Sequence, residues 1–245
     1  MTKSEIKVGE VPVCVTRKGI KHMHLYVQPP DGRVVASVPE DASDESIQFF
    51  VRENFGWILR EREAMRGQAR QTPREYVSGE TLYVWGEQKF LTVEKQKGWG
   101  GVKISGNEIT LLAPQESTVK SRREYMTDWY RRLLTDAVNR LLPKWEKKTG
   151  LCAERFEIRD MARSWGTCNQ EKGKIQLNLQ LSRKPREALE YVILHELCHF
   201  KCRNHGKEFV ALLDRYMPSW REVRQRLNDA PLDFVGEDEM GSKGP

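Results

Sequence analysis

The sequence predicts an α+β fold with a β-rich N-terminal part, and three observations support this class. Short runs of strand-forming residues, separated by glycine-containing turns, fill most of the first 114 residues. After Pro114 the apolar residues recur instead with the helical period. The composition, 38% hydrophobic and 31% charged with seven tryptophans, is typical of a folded globular chain rather than a disordered one.

In the N-terminal part, a turn is predicted at Pro29–Gly32 between two strands. One long helix is predicted to begin at Ser43 or Asp44, which suits the N-cap, and to run to about Gln68. Its apolar stripe extends from Ile47 to Leu59. The predicted strands are Val11–Arg17, Met23–Val27, Arg33–Val38, Thr81–Trp85, Lys89–Glu94, Val102–Ser105 and Glu108–Leu112.

The second part begins with a helix predicted from Thr118 to Leu142, which Pro143 is expected to end or kink. Its apolar face carries Tyr125, Trp129, Leu133, Ala137 and Leu141. Two strands, Arg155–Ile158 and Lys174–Leu179, are predicted to flank a loop at 163–168. Three more helices are expected from about Pro185, from Gly206 and after Pro218. We therefore predict a β-rich part at 1–114, a helical domain at 115–228, and a disordered acidic tail at 229–245.

Charge and cysteine usage narrow the class of protein. The chain carries a net charge of +6, but residues 229–245 alone carry −4, which leaves +10 on the rest. Such a body is drawn electrostatically to nucleic acid or acidic partners. Five cysteines without framework spacing favour a reducing compartment. With neither an N-terminal apolar run nor a stretch long enough to span a bilayer, the cytoplasm is the expected location.

The chemistry is concentrated in the apolar segment around His195-Glu196-Leu197-Cys198-His199. On a helix, His195 and His199 lie about 40° apart around the axis and one turn apart along it, so both can bind one ion. Glu196 is offset by about 100°, close enough to reach a water on that ion as a general base. Three of the five histidines fall within residues 195–205, which makes chance occurrence of the motif on an ordinary helix a weak alternative.

A catalytic zinc needs a third protein ligand, and two residues are candidates. Cys202 points in nearly the same direction as His195 but lies about 10 Å further along a continued helix, too far for one ion. His205 can bind only if the helix stops and the chain folds back. Asn204 and Gly206 flank it, and both tolerate the left-handed backbone that ends helices. The sequence therefore favours His205.

These residues resemble the YgjP-like metallopeptidases, which are related to the SprT-type zinc peptidases. The likeness extends over about residues 10–228 and is most specific in the C-terminal part. Members often carry a basic residue directly before the Trp-Gly pair, where this chain has Ser164, with Arg163 one step earlier. The matching residues are Trp165–Asn169, Ile175–Leu179, Pro185, Glu190–Glu196, His199, Asn204-His205, Phe209 and Met217–Trp220.

The resemblance implies a zincin-like metallopeptidase domain, with a small sheet packed on the active-site helix. It implies one Zn²⁺ held by His195, His199 and His205, with Glu196 as the base and a peptide or protein as substrate. Substrate-binding residues stay unassigned, although Tyr191, Trp165 and Gly166 are candidates. Two other functions stay open: a nucleic-acid-associated peptidase acting on DNA-bound proteins, and a zinc-stabilised scaffold without turnover.

Weaker signals have simpler interpretations. His22 and His24 fit a half-exposed strand face better than a metal site. Cys198 and Cys202 fit small buried residues better than ligands. The basic runs Arg60–Arg74 and Arg122–Lys148 are more typical of solvated helix faces than of a nucleic-acid groove, whose mark would be binding that weakens steeply with salt.

Overall fold

The computed structural model describes residues 2–28, 32–67, 74–98, 100–161 and 164–229. In these residues the chain forms eleven strands in three small sheets together with six α-helices, which confirms the predicted α+β class. The predicted turn at 29–31, Arg70, Arg163 and the acidic tail from residue 230 lie outside the described residues. Within the described part, no helix is both long and apolar enough to cross a membrane.

Contacts divide the described residues into two compact units, one within 1–72 and the other within 73–230. The first unit has a sheet of order β1-β2-β4-β3, and its core joins the sheet face to buried Ile47, Val51 and Ile58 of two helices. β1 was not predicted, because its charged sequence lacks a clear strand pattern. It is an edge strand that pairs antiparallel with β2. The elements are β1 (Thr2–Val8), β2 (Val11–Lys18), β3 (His24–Gln28), β4 (Arg33–Pro39), α1 (Asp44–Glu53) and α2 (Phe55–Gly67).

The long helix predicted from residue 44 to residue 68 is wrong, because the chain breaks it at Asn54. The Asn54 side chain donates a hydrogen bond to the Phe50 carbonyl at 2.8 Å, and its backbone N–H donates to Arg52. An asparagine that bonds the backbone in this way competes with helix continuation. The predicted N-cap is present, since the Ser43 side chain accepts from the Ser46 N–H. Leu59, placed on the apolar stripe, is 47% exposed after the break.

The second unit contains a sheet of order β5-β6-β8-β7 that packs on a long helix, α3. Tyr130 of α3 is buried there and donates its hydroxyl to the Tyr83 carbonyl at 2.8 Å. The strands before residue 114 thus share a core with the helix after it, while the division into domains at 114 stays a prediction. The elements are β5 (Thr81–Val84), β6 (Glu87–Gln96), β7 (Gly101–Ser105), β8 (Glu108–Pro114) and α3 (Val119–Thr149).

α3 continues through Pro143, which was expected to end or kink it near this point, and ends instead at Gly150 in the left-handed conformation. A proline removes one helical hydrogen bond, but Leu142 and Trp145 on either side are buried in the core and stabilise the continued helix. The buried face is centred one residue beyond the predicted one, on Met126, Tyr130, Leu134, Val138 and Leu142.

The third sheet, of order β10-β11-β9, packs against helix α4 together with two C-terminal helices. The segment predicted as a loop around Trp165 contains a strand, β10, which pairs antiparallel with β11. Its four residues alternate too briefly between polar and apolar for the pattern to be read from sequence. The elements are β9 (Arg155–Arg159), β10 (Gly166–Asn169), β11 (Lys174–Asn178), α4 (Arg186–Cys198), α5 (Lys207–Tyr216) and α6 (Trp220–Asp229).

The turn between β5 and β6 is attached to the segment that leads into α4. The Trp85 and Gly86 N–H groups donate to the carbonyls of Ser182 and Arg183 at 2.9 and 3.1 Å. Gly86 has a φ of +84°, and a Cβ there would lie 2.8 Å from Pro185 Cγ. Glycine is therefore required at this turn, which holds the start of α4 against the sheet.

Candidate metal centre

Helix α4 is buried on most sides, and this burial fixes the direction of the histidine face. Leu189, Ile193, Leu194 and Leu197 are buried in the core of the second unit. His195 is only half-buried, on the side of the helix that remains open. A helix embedded in this way presents its few polar residues at defined positions.

The chain leaves α4 directly after the motif. α4 ends at Cys198, and the His199 N–H donates to the Glu196 and Leu197 carbonyls in a tightened last turn. The left-handed backbone that Asn204 and Gly206 tolerate is not used, since no residue of the described segment 199–206 has a positive φ. Instead, Gly206 is extended and serves as the N-cap of α5. This short connection carries His205 back toward the helix.

The structure brings the three predicted histidines together. One ligand atom from each of His195, His199 and His205 lies within 4.8 Å of the other two. The Nε2 atoms of His195 and His205 are 3.0 Å apart. Within the described residues this is the one group of three His, Cys, Asp or Glu side chains with such spacing, and Cys202 is not part of it.

Neighbouring groups orient two of the rings. The Nδ1 atom of His199 lies 3.1 Å from the Cys202 carbonyl, so this nitrogen carries the proton and donates. His199 therefore keeps the Nε2 lone pair for a ligand. The Nδ1 atom of His195 faces the Tyr191 hydroxyl at 3.4 Å. Both rings thus direct Nε2 into the cluster, as a metal site requires.

The ring of Phe209 supports all three histidines. Its centroid lies between 4.6 and 4.9 Å from those of His195, His199 and His205. The side chain, in the first turn of α5, is only 2% exposed. Sequence reasoning noted Phe209 within the resemblance, but nothing in the local pattern indicated that it would contact the three imidazoles.

Burial keeps the imidazoles of His195 and His199 neutral. Burial, together with the neighbouring His199 and His205, lowers the pKa of His195 to about 3. Burial also lowers the pKa of His199. Neutral imidazoles have free lone pairs, and three histidine ligand atoms within 4.8 Å of one another suit a divalent transition metal. By contrast, burial raises the pKa of the Cys198 thiol to about 12, which keeps it protonated.

Glu196 lies beside the cluster under the start of β10. It is 4% exposed, and burial raises the pKa of its carboxyl group to about 8. A Cβ on Gly166 would lie 2.6 Å from Glu196 Oε1 and 2.8 Å from its Cγ. Only a glycine at 166 lets the strand approach the carboxylate this closely.

A cleft of about 600 Å³ opens next to the histidines. Trp165, Gly166 and Tyr191, which the sequence left as candidates, all line it. α6 adds Trp220, which the sequence analysis named only within the resemblance, and Arg224, which no sequence motif indicated. The cleft lies within the second unit and reaches Glu196 and two of the histidines, so a bound molecule would meet the metal centre.

The other candidates lie elsewhere or serve the fold. His22 and His24 are exposed in the first unit. Three residues of the basic run on α3 are used in hydrogen bonds: Arg122 to the Ser117 and Glu75 carbonyls, Arg131 to Ile158 and Lys148 to Tyr216. These contacts account for part of the positive charge without a nucleic-acid partner.

The chain is similar to known metallopeptidases. The model of a family described as "YgjP-like, metallopeptidase domain" matches residues 21–230. The crystal structure of the metallopeptidase zymogen of Pyrococcus abyssi abylysin is 23% identical, with a TM-score of 0.35, and covers 37% of this chain and 90% of its own. The crystal structure of the metallopeptidase zymogen of Methanocaldococcus jannaschii jannalysin is 27% identical, with a TM-score of 0.31. This match covers 38% of the present chain and 92% of the jannalysin chain. No curated protein matches.

Proposed function

The chain belongs to the YgjP-like metallopeptidase family, and from this premise we propose that it is a zinc-dependent peptidase. His195, His199 and His205 hold one zinc ion, and Glu196 is the general base. The observation that carries this proposal is the convergence of three imidazoles. His195 and His199 lie at the end of α4, and His205 lies in the connection that folds back toward this helix. The neutral rings of His195 and His199, the buried carboxylate beside them and the adjoining cleft support it.

The donor set fits zinc. Zinc bonds imidazole nitrogen at about 2.0–2.1 Å, so two nitrogens of a tetrahedral site lie roughly 3.3–3.4 Å apart. The observed separation of 3.0 Å between the Nε2 atoms of His195 and His205 is close to that value. Three protein ligands leave a fourth position free, which distinguishes a catalytic from a structural zinc site.

When bound, zinc supplies a water of lowered pKa and polarises a substrate carbonyl. Glu196 accepts the proton of the attacking water at its carboxylate as the new C–O bond forms. It then delivers that proton to the amide nitrogen as the C–N bond breaks, and the carboxylate is regenerated. Glu196 is 4% exposed, so other water has little access to this carboxylate. The Cys202 carbonyl holds the imidazole of His199 in its tautomer, and the Tyr191 hydroxyl faces Nδ1 of His195.

The edge of the third sheet suits a peptide substrate. Within the described residues, β10 pairs on one side only, with β11. The other edge carries backbone groups able to hydrogen-bond an extended chain, the way in which sheets add a peptide strand. Because β10 starts at Gly166, directly over Glu196, a peptide lying along it would pass the proposed base.

Metal analysis and chelation test this proposal. The purified protein is expected to contain about one zinc per chain and to cleave members of a randomised peptide library, followed by mass spectrometry. Removal of the metal with a chelator should abolish cleavage, and added zinc should restore it. Cleavage by fully metal-free protein would overturn the proposal. Zinc that stabilises the fold without any cleavage would favour the scaffold function instead.

A second prediction concerns the contact between Gly166 and Glu196. The substitution Gly166→Ala places a Cβ within 3.0 Å of the carboxylate, so the side chain or the strand must move. We expect a loss of about 10²-fold in peptidase rate, since displacement of a reacting group by about 1 Å costs this much. Zinc content should stay unchanged, because the histidines do not contact residue 166. Rates, metal content and thermal unfolding are measured together.

Gly206→Ala is the matched control. Gly206 adjoins His205, but a Cβ there meets nothing within 4 Å and its φ is negative. This variant should keep both zinc and rate. If Gly166→Ala also keeps the parental rate while folded and metal-loaded, Glu196 does not act from the position that Gly166 defines.

A further inference from the structure

Aromatic and aliphatic side chains line much of the cleft. The rings of Tyr191 and Trp220 stack with centroids 6.3 Å apart and planes inclined by 7°. The Trp220 indole N–H donates to Asp214 at 2.8 Å, and the Arg221 guanidinium lies over the ring, so this side chain is fixed and presents only its edge to the cleft. Trp165, Leu213 and Leu227 also line the cleft. Such a surface favours a flat, apolar side chain.

One permanent positive charge is found among the described residues that line this cleft, and it belongs to Arg224. α6 carries two other arginines, and both are paired: Arg221 with Asp214 at 2.5 Å and Arg226 with Glu187 at 3.2 Å. Within the described part of the chain, Arg224 forms no ion pair. Its side chain, on an exposed face one turn after Trp220, is therefore available to a ligand.

Arg224 lines the same cleft as Tyr191, His195 and His205. A negative group bound at Arg224 would therefore lie in the cleft that adjoins the proposed metal centre.

We propose that the cleft selects peptides in which an aromatic side chain is followed or preceded closely by a carboxylate. The aromatic group packs against Trp165 and the neighbouring apolar lining residues, and Arg224 binds the carboxylate. This inference rests on the proposed function, because it names the substrate class of that site. The carboxylate comes either from an acidic side chain or from the C-terminus of the peptide, and these two sources imply cleavage within a chain or near its end.

Binding is measured without turnover, in full-length Glu196→Gln protein loaded with zinc, by fluorescence anisotropy of labelled peptides. The parent peptide contains a phenylalanine and a glutamate one or two residues apart, with an amidated C-terminus. Replacing the glutamate by glutamine should weaken binding about two- to fivefold, the effect of an exposed ion pair. Replacing the phenylalanine by alanine should weaken it by roughly tenfold or more. A free-acid peptide without glutamate tests the C-terminal source.

Charge reversal at residue 224 distinguishes specific recognition of the carboxylate from non-specific peptide binding. Arg224→Glu should invert the preference, so that a lysine peptide binds better than the glutamate peptide, while the preference for phenylalanine remains. Arg224→Lys should largely restore the original order. Arg226→Ala is the control, since it removes an arginine of the same helix that pairs with Glu187 outside the cleft. This control should leave every affinity unchanged.

Equal affinities for the glutamate, glutamine and lysine peptides, or no binding by any of them, would overturn the inference. So would an acid preference that survives Arg224→Glu. These outcomes are distinct from failure of the proposed function, which would appear as absent zinc or metal-independent cleavage. Selective binding can be established even if the wild-type protein cleaves none of the peptides.

Discussion

The substitution His205→Ala is expected to lower zinc affinity by more than about 100-fold, because even the hydrogen-bond partners of metal ligands are worth roughly 10–100-fold. His205 supplies one of the three nitrogens that converge, and the other two cannot close a three-ligand site alone. Its side chain is exposed in the connection between α4 and α5, so the fold should persist. The loss of affinity is measured by the metal content after gel filtration and by a competition titration with a zinc chelator. Thermal unfolding shows whether the fold persists.

His24→Ala is the matched control for this loss. His24 is also exposed, but it begins β3 in the first unit and takes no part in the cluster. Its replacement should leave zinc affinity unchanged. A folded His205→Ala protein with parental zinc affinity would show that the ion, if any, is held elsewhere, and the proposed centre would be wrong.

The choice of His205 over Cys202 could be made from sequence because it depends on geometry alone. A helix advances 1.5 Å per residue, and no rotation can bring a residue seven positions away onto the same ion. The way in which the chain reverses could not be predicted. Asn204 and Gly206 tolerate a left-handed backbone, but the reversal does not use it and consists of a tightened helix end followed by an extended Gly206. Several backbone paths can bring His205 close to His195 and His199, so the requirement for this proximity does not select one of them.

Helix ends were predictable where a side chain caps them and uncertain where a side chain interrupts them. Ser43 and Thr118 both accept backbone N–H groups at the predicted starts. Asn54, by contrast, stops a helix whose apolar period continues on both sides. Pro143 has the opposite effect, since a residue expected to end α3 is carried through it by the burial of its neighbours. At Asn54 a local hydrogen bond outweighs the apolar period. At Pro143 the tertiary packing of the neighbouring residues outweighs the effect of the proline.

The close approach of Gly166 to Glu196 could not be predicted from the sequence. Gly166 and Glu196 lie thirty positions apart, and neither residue alone indicates that a strand will be laid against the carboxylate. The same holds for Arg224, whose helix begins fifteen residues after His205. Motif spacing predicts the residues that share one helix turn. Residues that complete the cleft depend on how α6 and β10 pack on α4, which only the structure provides.

The substitution Glu196→Gln is expected to lower the rate of peptide hydrolysis by about 10²–10⁴-fold while zinc content stays unchanged, which is the range for loss of a general base. Glutamine has the same shape, so it fits under Gly166 without the clash that a larger change would cause. It cannot accept the proton of the attacking water. Burial raises the pKa of the Glu196 carboxyl to about 8 without metal, and a bound cation favours the carboxylate form that the reaction needs.

Glu187→Gln controls for loss of a carboxylate from the same helix. Glu187 is exposed in the first turn of α4 and pairs with Arg226, away from the cleft. Its variant should hydrolyse peptides at close to the parental rate. Single-turnover measurements then separate chemistry from binding, since Glu196→Gln should lower kcat with little change in peptide affinity. A zinc-loaded Glu196→Gln protein that keeps the parental kcat would assign the proton transfer to another group, and the cleft offers no other carboxylate among its described lining residues.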